Sequence, residues 1–389
     1  MALIERIVGF QDEMTEWRHH IHAHPETAFQ EHKTADFVAS RLESFGIDIH
    51  RGLAKTGVVG MLKSGSGNRA IGLRADMDAL DLDELNEFEH RSRHPGKMHG
   101  CGHDGHTTML LGAAKYLAES RNFDGTVYFI FQPAEENEAG GRVMVQEGLF
   151  EKFPVEAVFG MHNMPGIDVG KMAVRVGAMM ASADFFFITI RGVGAHGAFP
   201  HSGIDPIPIA AEVVMGLQSI VSRNADPMHS AVVSVTQISG GHTTNVIPEE
   251  VKLAGTTRAF RPEVQDLMER RIREIAQGIA KAHGANADVR YDRRYPPTVN
   301  SADETEIAAA AAAAVVGADN VLRDLPPVMG AEDFGWMLKA KPGSYVWLGN
   351  GRNDGGCMVH NPRYDFNDRI LAIGASYWSR LVEQVLRAP

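Results

Sequence analysis

Cysteine is scarce. Cys101 and Cys357 are the only two in 389 residues, so no disulfide framework braces the chain, and a chain of this length buries a sizeable core without one. Positive charge is also short: 38 Lys and Arg stand against 49 Asp and Glu, a formal net charge of −11. That balance excludes a general nucleic-acid binder, which needs a basic face to displace counterions. Long apolar runs are missing too. The longest, 307–318, is alanine-rich and twelve residues long, whereas a membrane-spanning helix needs about 20. The opening stretch, MALIERIVGFQDEMTEW, has no basic segment followed by an apolar one, so no signal peptide is expected. The expectation is a cytoplasmic protein that touches neither membrane nor nucleic acid.

The composition that remains, 44% hydrophobic and 22% charged, is that of an ordinary globular chain. Leu3, Ile7, Phe10, Met14, Trp17 and Ile21 recur at spacings of three and four, which predicts a helix. A second helix is expected over 33–45, stopped by Gly46. Strands are expected at 58–62, 70–75, 126–131 and 155–159, with a helix over 104–117, an alternation typical of an α/β domain. From about residue 180 the rhythm changes to strand 184–191, helix 207–221, strands 230–238 and 251–260, helix 262–282 and strand 287–293. That β-α-β-β-α-β order is ferredoxin-like. The first style then resumes with helix 303–316, strand 345–349 and helix 368–386. The expected architecture is a discontinuous α/β catalytic domain, 1–180 and 294–389, whose mixed sheet is flanked by helices. An α+β domain is inserted over 181–293.

Chemistry concentrates in a few short stretches. His99-Gly-Cys101-Gly-His103-Asp104-Gly-His106 places three imidazoles, a thiol and a carboxylate within eight residues. Imidazole and thiolate suit borderline-soft divalent metals, and the glycines let a turn aim several side chains at one point. Asp104 is expected to cap the helix that follows. Glu135 and Glu136 directly follow a buried strand. Adjacent carboxylates raise one another's pKa unless a cation or distance relieves them, and on extended backbone they point to opposite sides, one toward metal and one toward water. Alone, such a pair is as consistent with a solvated helix start. His162 and His360 each follow strand-like or loop sequence near where an α/β sheet presents its site, although a lone histidine is more often structural. Asp76 and Asp78, at i and i+2, share one side of a strand and suit either metal ligation or the orientation of ligand histidines.

Together RADMDAL (74–80), HGCGHDGHT (99–107), FQPAEE (131–136), GMHNMP (160–165), GAHGAFPH (194–201), HTTNVIPE (242–249), GAEDF (330–334) and HNP (360–362) resemble the M20 metallopeptidase family. The resemblance is to its aminoacylase, hippurate hydrolase and auxin-conjugate hydrolase branch, in the same order and over most of the chain. It implies two divalent ions (manganese, zinc, cobalt or nickel) held by Cys101, His103, Glu136, His162 and His360. Glu135 matches the catalytic carboxylate that takes a proton from the bridging water and passes it to the leaving nitrogen. Asp78 matches a residue that supports the site. The inserted domain matches a lid and dimerisation domain whose histidine, here His196, reaches the partner's site to stabilise the oxyanion. Asn245 and Arg258 lie where relatives bind polar groups of the substrate. One departure is Asp81, where many relatives have proline after RADMDAL; its charge is read as solvating the loop.

The implied activity is metal-dependent hydrolysis of the amide bond of N-acyl amino acids by a homodimer or a dimer of dimers. The alternatives are a metallo-carboxypeptidase or dipeptidase of the same fold, or a non-catalytic metal-binding sensor. Cys357, three residues before His360, is not expected to be a ligand.

Overall fold

A stripe of Ile7, Phe10, Met14, Trp17 and Ile21 is buried as its spacing demands, yet it spans two helices, Glu5–Val8 and Gln11–Ala23, broken around Gly9. The structure, a computed structural model, describes residues 1–351 and 357–388. The chain divides into two compact units: Met1–Gly177, Val299–Pro326 and everything from Asp333 form one, and Ala178–Thr298 with Pro327–Glu332 form the other.

The first unit is built on an eight-stranded mixed sheet. In spatial order its strands are Asp48–Leu53, Gly57–Ser64, Gly125–Gln132, Ala70–Asp76, Ala157–Pro165, Gly343–Gly351, Met172–Ala173 and Val321–Leu322. Ala70–Asp76 runs parallel to both of its neighbours, and Ala157–Pro165 runs parallel to Gly343–Gly351. Strands covered on both faces read as continuous apolar runs, and Gly125–Gln132 and Gly343–Gly351 are buried almost throughout. The edge strand Asp48–Leu53 escapes the apolar-run criterion because it is polar and mostly exposed. Helix His103–Ser120 lies in the core with Leu110, Leu111, Ala113, Ala114 and Leu117 at 0% exposure, as does the C-terminal helix Leu371–Val385.

The second unit is a four-stranded antiparallel sheet in the order Ala231–Gly240, Glu250–Ala259, Ala183–Arg191, Asn286–Tyr295, the arrangement of a ferredoxin-like unit. Helices Pro206–Ser219 and Pro262–Ala282 share one core with the sheet, with Ile209, Val213, Leu217, Met268, Ile272 and Ala276 closing against Phe186, Ile188 and Leu253. Among the described residues no helix is long and apolar enough to cross a membrane.

Candidate metal centre

The polar residues that matter in the first unit sit where the parallel strands end, as expected for an α/β sheet. The strand Ala70–Asp76 delivers Asp76 and then Asp78; Gly125–Gln132 leads into Glu135 and Glu136; His162 lies on Ala157–Pro165; and His103 opens the long helix, with Cys101 on the loop before it. His360 arrives on a turn with φ +64°, its N–H donated to the Gly100 carbonyl at 2.7 Å. The C-terminal turn is thereby pinned to the Cys101 loop.

Donor atoms from four of these segments converge. Within each of three trios, Cys101–His103–His162, Cys101–Glu136–His360 and His103–Glu135–Glu136, the donor atoms all lie within 4.8 Å of one another. Cys101 Sγ is 3.4 Å from His162 Nε2. Glu136 has Oε2 3.3 Å from His360 Nε2 and Oε1 3.7 Å from His103 Nε2. Cys101 and His103 each belong to two of the trios, so the three share donors. No such trio among the described residues contains Cys357.

Two atoms aimed into this cluster, His103 Nε2 and Glu136 Oε1, are buried without a hydrogen-bond partner. Buried polar groups are normally satisfied. A nitrogen lone pair, a carboxylate oxygen and a sulfur around one point make a donor set that suits divalent transition metals. The residues present therefore fit a metal pair. Burial, reinforced by the charges of Glu136, Glu135 and Asp76, pushes the Cys101 thiol well above its ordinary range; a cation in the cluster would reverse this. Burial disfavours charge on His103, but Asp76, Asp78 and Glu136 outweigh it and raise that imidazole to about 10. The excess of anionic groups calls for positive charge in the cluster.

Asp78 organises the cluster from behind. Its carbonyl accepts the His103 Nδ1–H at 2.9 Å, leaving Nε2 for the cluster, and its Oδ2 accepts the Glu136 backbone N–H at 3.0 Å. Asp76 does not share that role. It holds His106 Nδ1 at 2.6 Å and Arg74 Nη1 at 2.6 Å, and the strand ends at Asp76, so the two carboxylates are not a same-face strand pair.

Two further local expectations are corrected. Asp104 is not a cap: the helix begins at His103 behind Gly102, and Asp104 is buried against His22 Nδ1 at 2.8 Å and Arg18 at 3.5 Å. Glu135 and Glu136 do not lie on extended backbone. Ala134 takes φ +56° and starts a helical turn, Glu135–Glu138, so the two carboxylates leave successive helical positions, with one oxygen of each still within 4.8 Å of a His103 ring nitrogen. Glu136 faces His103 and His360, while Glu135 Oε1 accepts the Asp333 N–H at 3.3 Å.

Several residues escaped the sequence reading. Glu31, wholly buried, accepts the Ala134 N–H at 2.9 Å and so fixes the turn before Glu135. Arg74 and Gln132 bond Asp333, which also accepts the Gly141 N–H at 2.7 Å. Arg74 and Asp333 fall within quoted motifs, but nothing local marks Glu31. His99, nominated within the His-rich loop, is buried and outside the metal trios, and burial lowers its pKa to about 3.

His196, Asn245 and Arg258 belong to the second unit. His196 is exposed on the two-residue strand Ala195–His196, paired with Val246–Ile247. Its Nδ1 accepts the Ala198 N–H at 3.0 Å, so the hydrogen of the neutral ring resides on Nε2. Asn245 precedes the strand paired with His196, and its carbonyl accepts the Gly197 N–H at 2.8 Å. Arg258 is partly buried and donates to the Thr257 carbonyl at 2.9 Å.

Similarity to known proteins agrees with this geometry. The pattern of peptidase family M20/M25/M40 matches residues 72–384. The chain is 43% identical over 387 residues, all of both proteins, to a hippurate hydrolase of Campylobacter jejuni. It is 45% identical over 301 residues, covering 76% of this chain and 80% of the other, to an N-acyl-L-amino acid amidohydrolase of Geobacillus stearothermophilus. The solved structure of Bacillus subtilis YxeP, described as a dinuclear metal binding peptidase of the M20 family, aligns with TM-score 0.85 at 34% identity, covering 98% of this chain and 99% of that one. The chain belongs to peptidase family M20/M25/M40.

Proposed function

We propose that this protein hydrolyses the amide bond of N-acyl amino acids, releasing a carboxylate and the free amino acid, with two divalent ions held by Cys101, His103, Glu136, His162 and His360. The observation that carries the reading is the convergence of one thiol, three imidazoles and one carboxylate beside a second carboxylate, Glu135. Relatives named hippurate hydrolase and N-acyl-L-amino acid amidohydrolase support the substrate class. When bound, the ions supply Lewis acidity, lowering the pKa of a water and polarising the amide carbonyl.

The chain supplies the rest. Glu135, 7% exposed and steadied by the Asp333 N–H, accepts a proton from the attacking water and returns it to the leaving nitrogen. His196 presents an Nε2–H to the developing oxyanion, an interaction worth roughly 3 kcal/mol per donor in other enzymes. Asn245 and Arg258 bind polar groups of the substrate. The unit containing them serves as lid and dimerisation domain, with His196 acting on the site of a second copy. The cytoplasm is the proposed compartment.

The test is a hydrolysis screen of acetyl-, benzoyl- and indole-acetyl-amino acids with manganese, zinc, cobalt or nickel after chelator treatment. Metal-restored hydrolysis of at least one class is expected. Equal turnover in chelator, or none with any metal, would end this reading.

A further inference from the structure

We propose that Asn86 is a positioning residue for the metal ligand His360, clamping the turn that carries it to a buried ion pair. His103 and Glu136 are fixed by burial, with side chains 1% and 6% exposed, whereas the His360 side chain is 54% exposed. Packing does not close around that imidazole, so its placement depends on its backbone. The turn is held on two sides. On one, the His360 N–H reaches the Gly100 carbonyl at 2.7 Å. On the other lies the polar loop between strand Ala70–Asp76 and helix His103–Ser120. There the Leu85 N–H donates to the Pro362 carbonyl at 2.8 Å, and the Leu85 carbonyl accepts from Arg363 Nη1 at 3.1 Å. Asn86 adds a further tie, its Nδ2 lying 2.9 Å from the Tyr364 carbonyl and 3.0 Å from Glu84 Oε1. A carbonyl and a carboxylate only accept, so both hydrogens of the Asn86 amide are engaged, one on each.

Glu84 anchors the clamp. Its side chain is 3% exposed; Oε2 accepts the Ser92 N–H at 2.6 Å, and Oε1 accepts from His22 Nε2 at 3.2 Å. The other nitrogen of His22 lies 2.8 Å from Asp104 Oδ2. With a carboxylate at each nitrogen the ring donates twice and is an imidazolium. Burial opposes that charge, but Asp104 and Glu84 outweigh it and raise the ring to about 9. Asn86 thus ties the His360 turn, through Glu84 and His22, to Asp104 on the helix that begins with His103. A chain of charge-assisted bonds set in the interior reaches a ligand that the interior does not enclose.

The inference rests on the reading of His360 as a ligand, and a double-mutant cycle separates the two. Zinc binding to chelator-treated wild type, Asn86→Ala, His360→Ala and the double variant is measured by calorimetry. His360→Ala is expected to lose or weaken one of the two ions. Asn86→Ala is expected to weaken that same ion by about 10-fold, the other being held as in the wild type. In the His360→Ala background, Asn86→Ala is expected to change nothing further. Should Asn86→Ala fail to fold, Asn86→Ser decides in its place, since a single hydroxyl hydrogen cannot serve both acceptors. Wild-type affinity for both ions in a folded Asn86 variant overturns the proposal alone. Equal weakening of both ions, or a loss that persists in the His360→Ala background, marks a general loosening of the fold and overturns it too. Should His360→Ala itself bind both ions as the wild type does, the ligand reading fails and the proposal falls with it.

Discussion

Replacing Glu31 tests whether a buried carboxyl, remote in sequence, holds the turn that carries Glu135. Glu31 Oε1 accepts the N–H groups of Ala134 at 2.9 Å and Phe29 at 3.1 Å, and Oε2 accepts the Thr56 hydroxyl at 2.7 Å. Burial, and then the charge of Asp78, raise its pKa from 4.5 to about 7. The folded protein thus favours the neutral acid. Stability from this group is fully present below the unfolded value and is lost as pH rises through about 7. At about 1.36 kcal/mol per pKa unit the span is worth roughly 3 kcal/mol. Glu31→Gln cannot ionise but keeps an oxygen for the two N–H groups, and the Thr56 hydroxyl turns to accept from its amide. Between pH 4.5 and 8 the wild type is expected to lose about 3 kcal/mol more than this variant. Glu31→Ala strands two buried N–H groups at about 1–3 kcal/mol each, at every pH. Urea unfolding of chelator-treated protein provides the assay, followed by fluorescence of Trp17, Trp336, Trp347 and Trp378, all in the first unit. Parallel pH profiles for the wild type and Glu31→Gln would refute the argument from burial.

Glu135→Gln should keep both ions and lose turnover by roughly a hundredfold or more, whereas Glu136→Gln should lose one ion and recover partly at high metal concentration. Elemental analysis with steady-state kinetics distinguishes them, and rescue of the Glu135 variant by metal would exchange the roles. Cys101→Ser should lose much of its metal and activity while Cys357→Ser keeps most of both; equal losses contradict the thiol assignment. Gly102→Ala places a Cβ 2.3 Å from Asn163 Oδ1 and 2.8 Å from the Tyr364 hydroxyl, on backbone with φ +91°. A cost of about 2–4 kcal/mol is expected from overpacking plus left-handed strain, read as a lowered urea midpoint; an unchanged midpoint counts against the tight Cys101 turn.

Where the chain repeats itself locally, the sequence alone was enough. Helix 262–282 is predicted to the residue because Pro262 starts it and an apolar stripe runs its length. The order of strands and helices in 183–295 already specifies a ferredoxin-like sheet, since connection rules leave few ways to close it. The chemistry-bearing stretches around Cys101, Glu135, His162 and His360 were legible as composition, because thiol, imidazole and carboxylate at turns and strand ends are rare without a use. What periodicity carries is the orientation of a residue relative to its own element. It does not name the partner across the fold. Only the tertiary structure could turn Asp104 from a helix cap into the buried partner of His22 and Arg18, more than 80 residues away in each case. Only there do Ala134 and Glu31 meet to bend an extended Glu-Glu pair into a helical turn. The same holds for His106 and His103, neighbours on one helix: Asp76 and Asn163 occupy both nitrogens of the first, while Asp78 leaves one nitrogen of the second for the metal cluster. Desolvation and hydrogen-bond satisfaction decide these roles, and both depend on which distant segments close over a side chain.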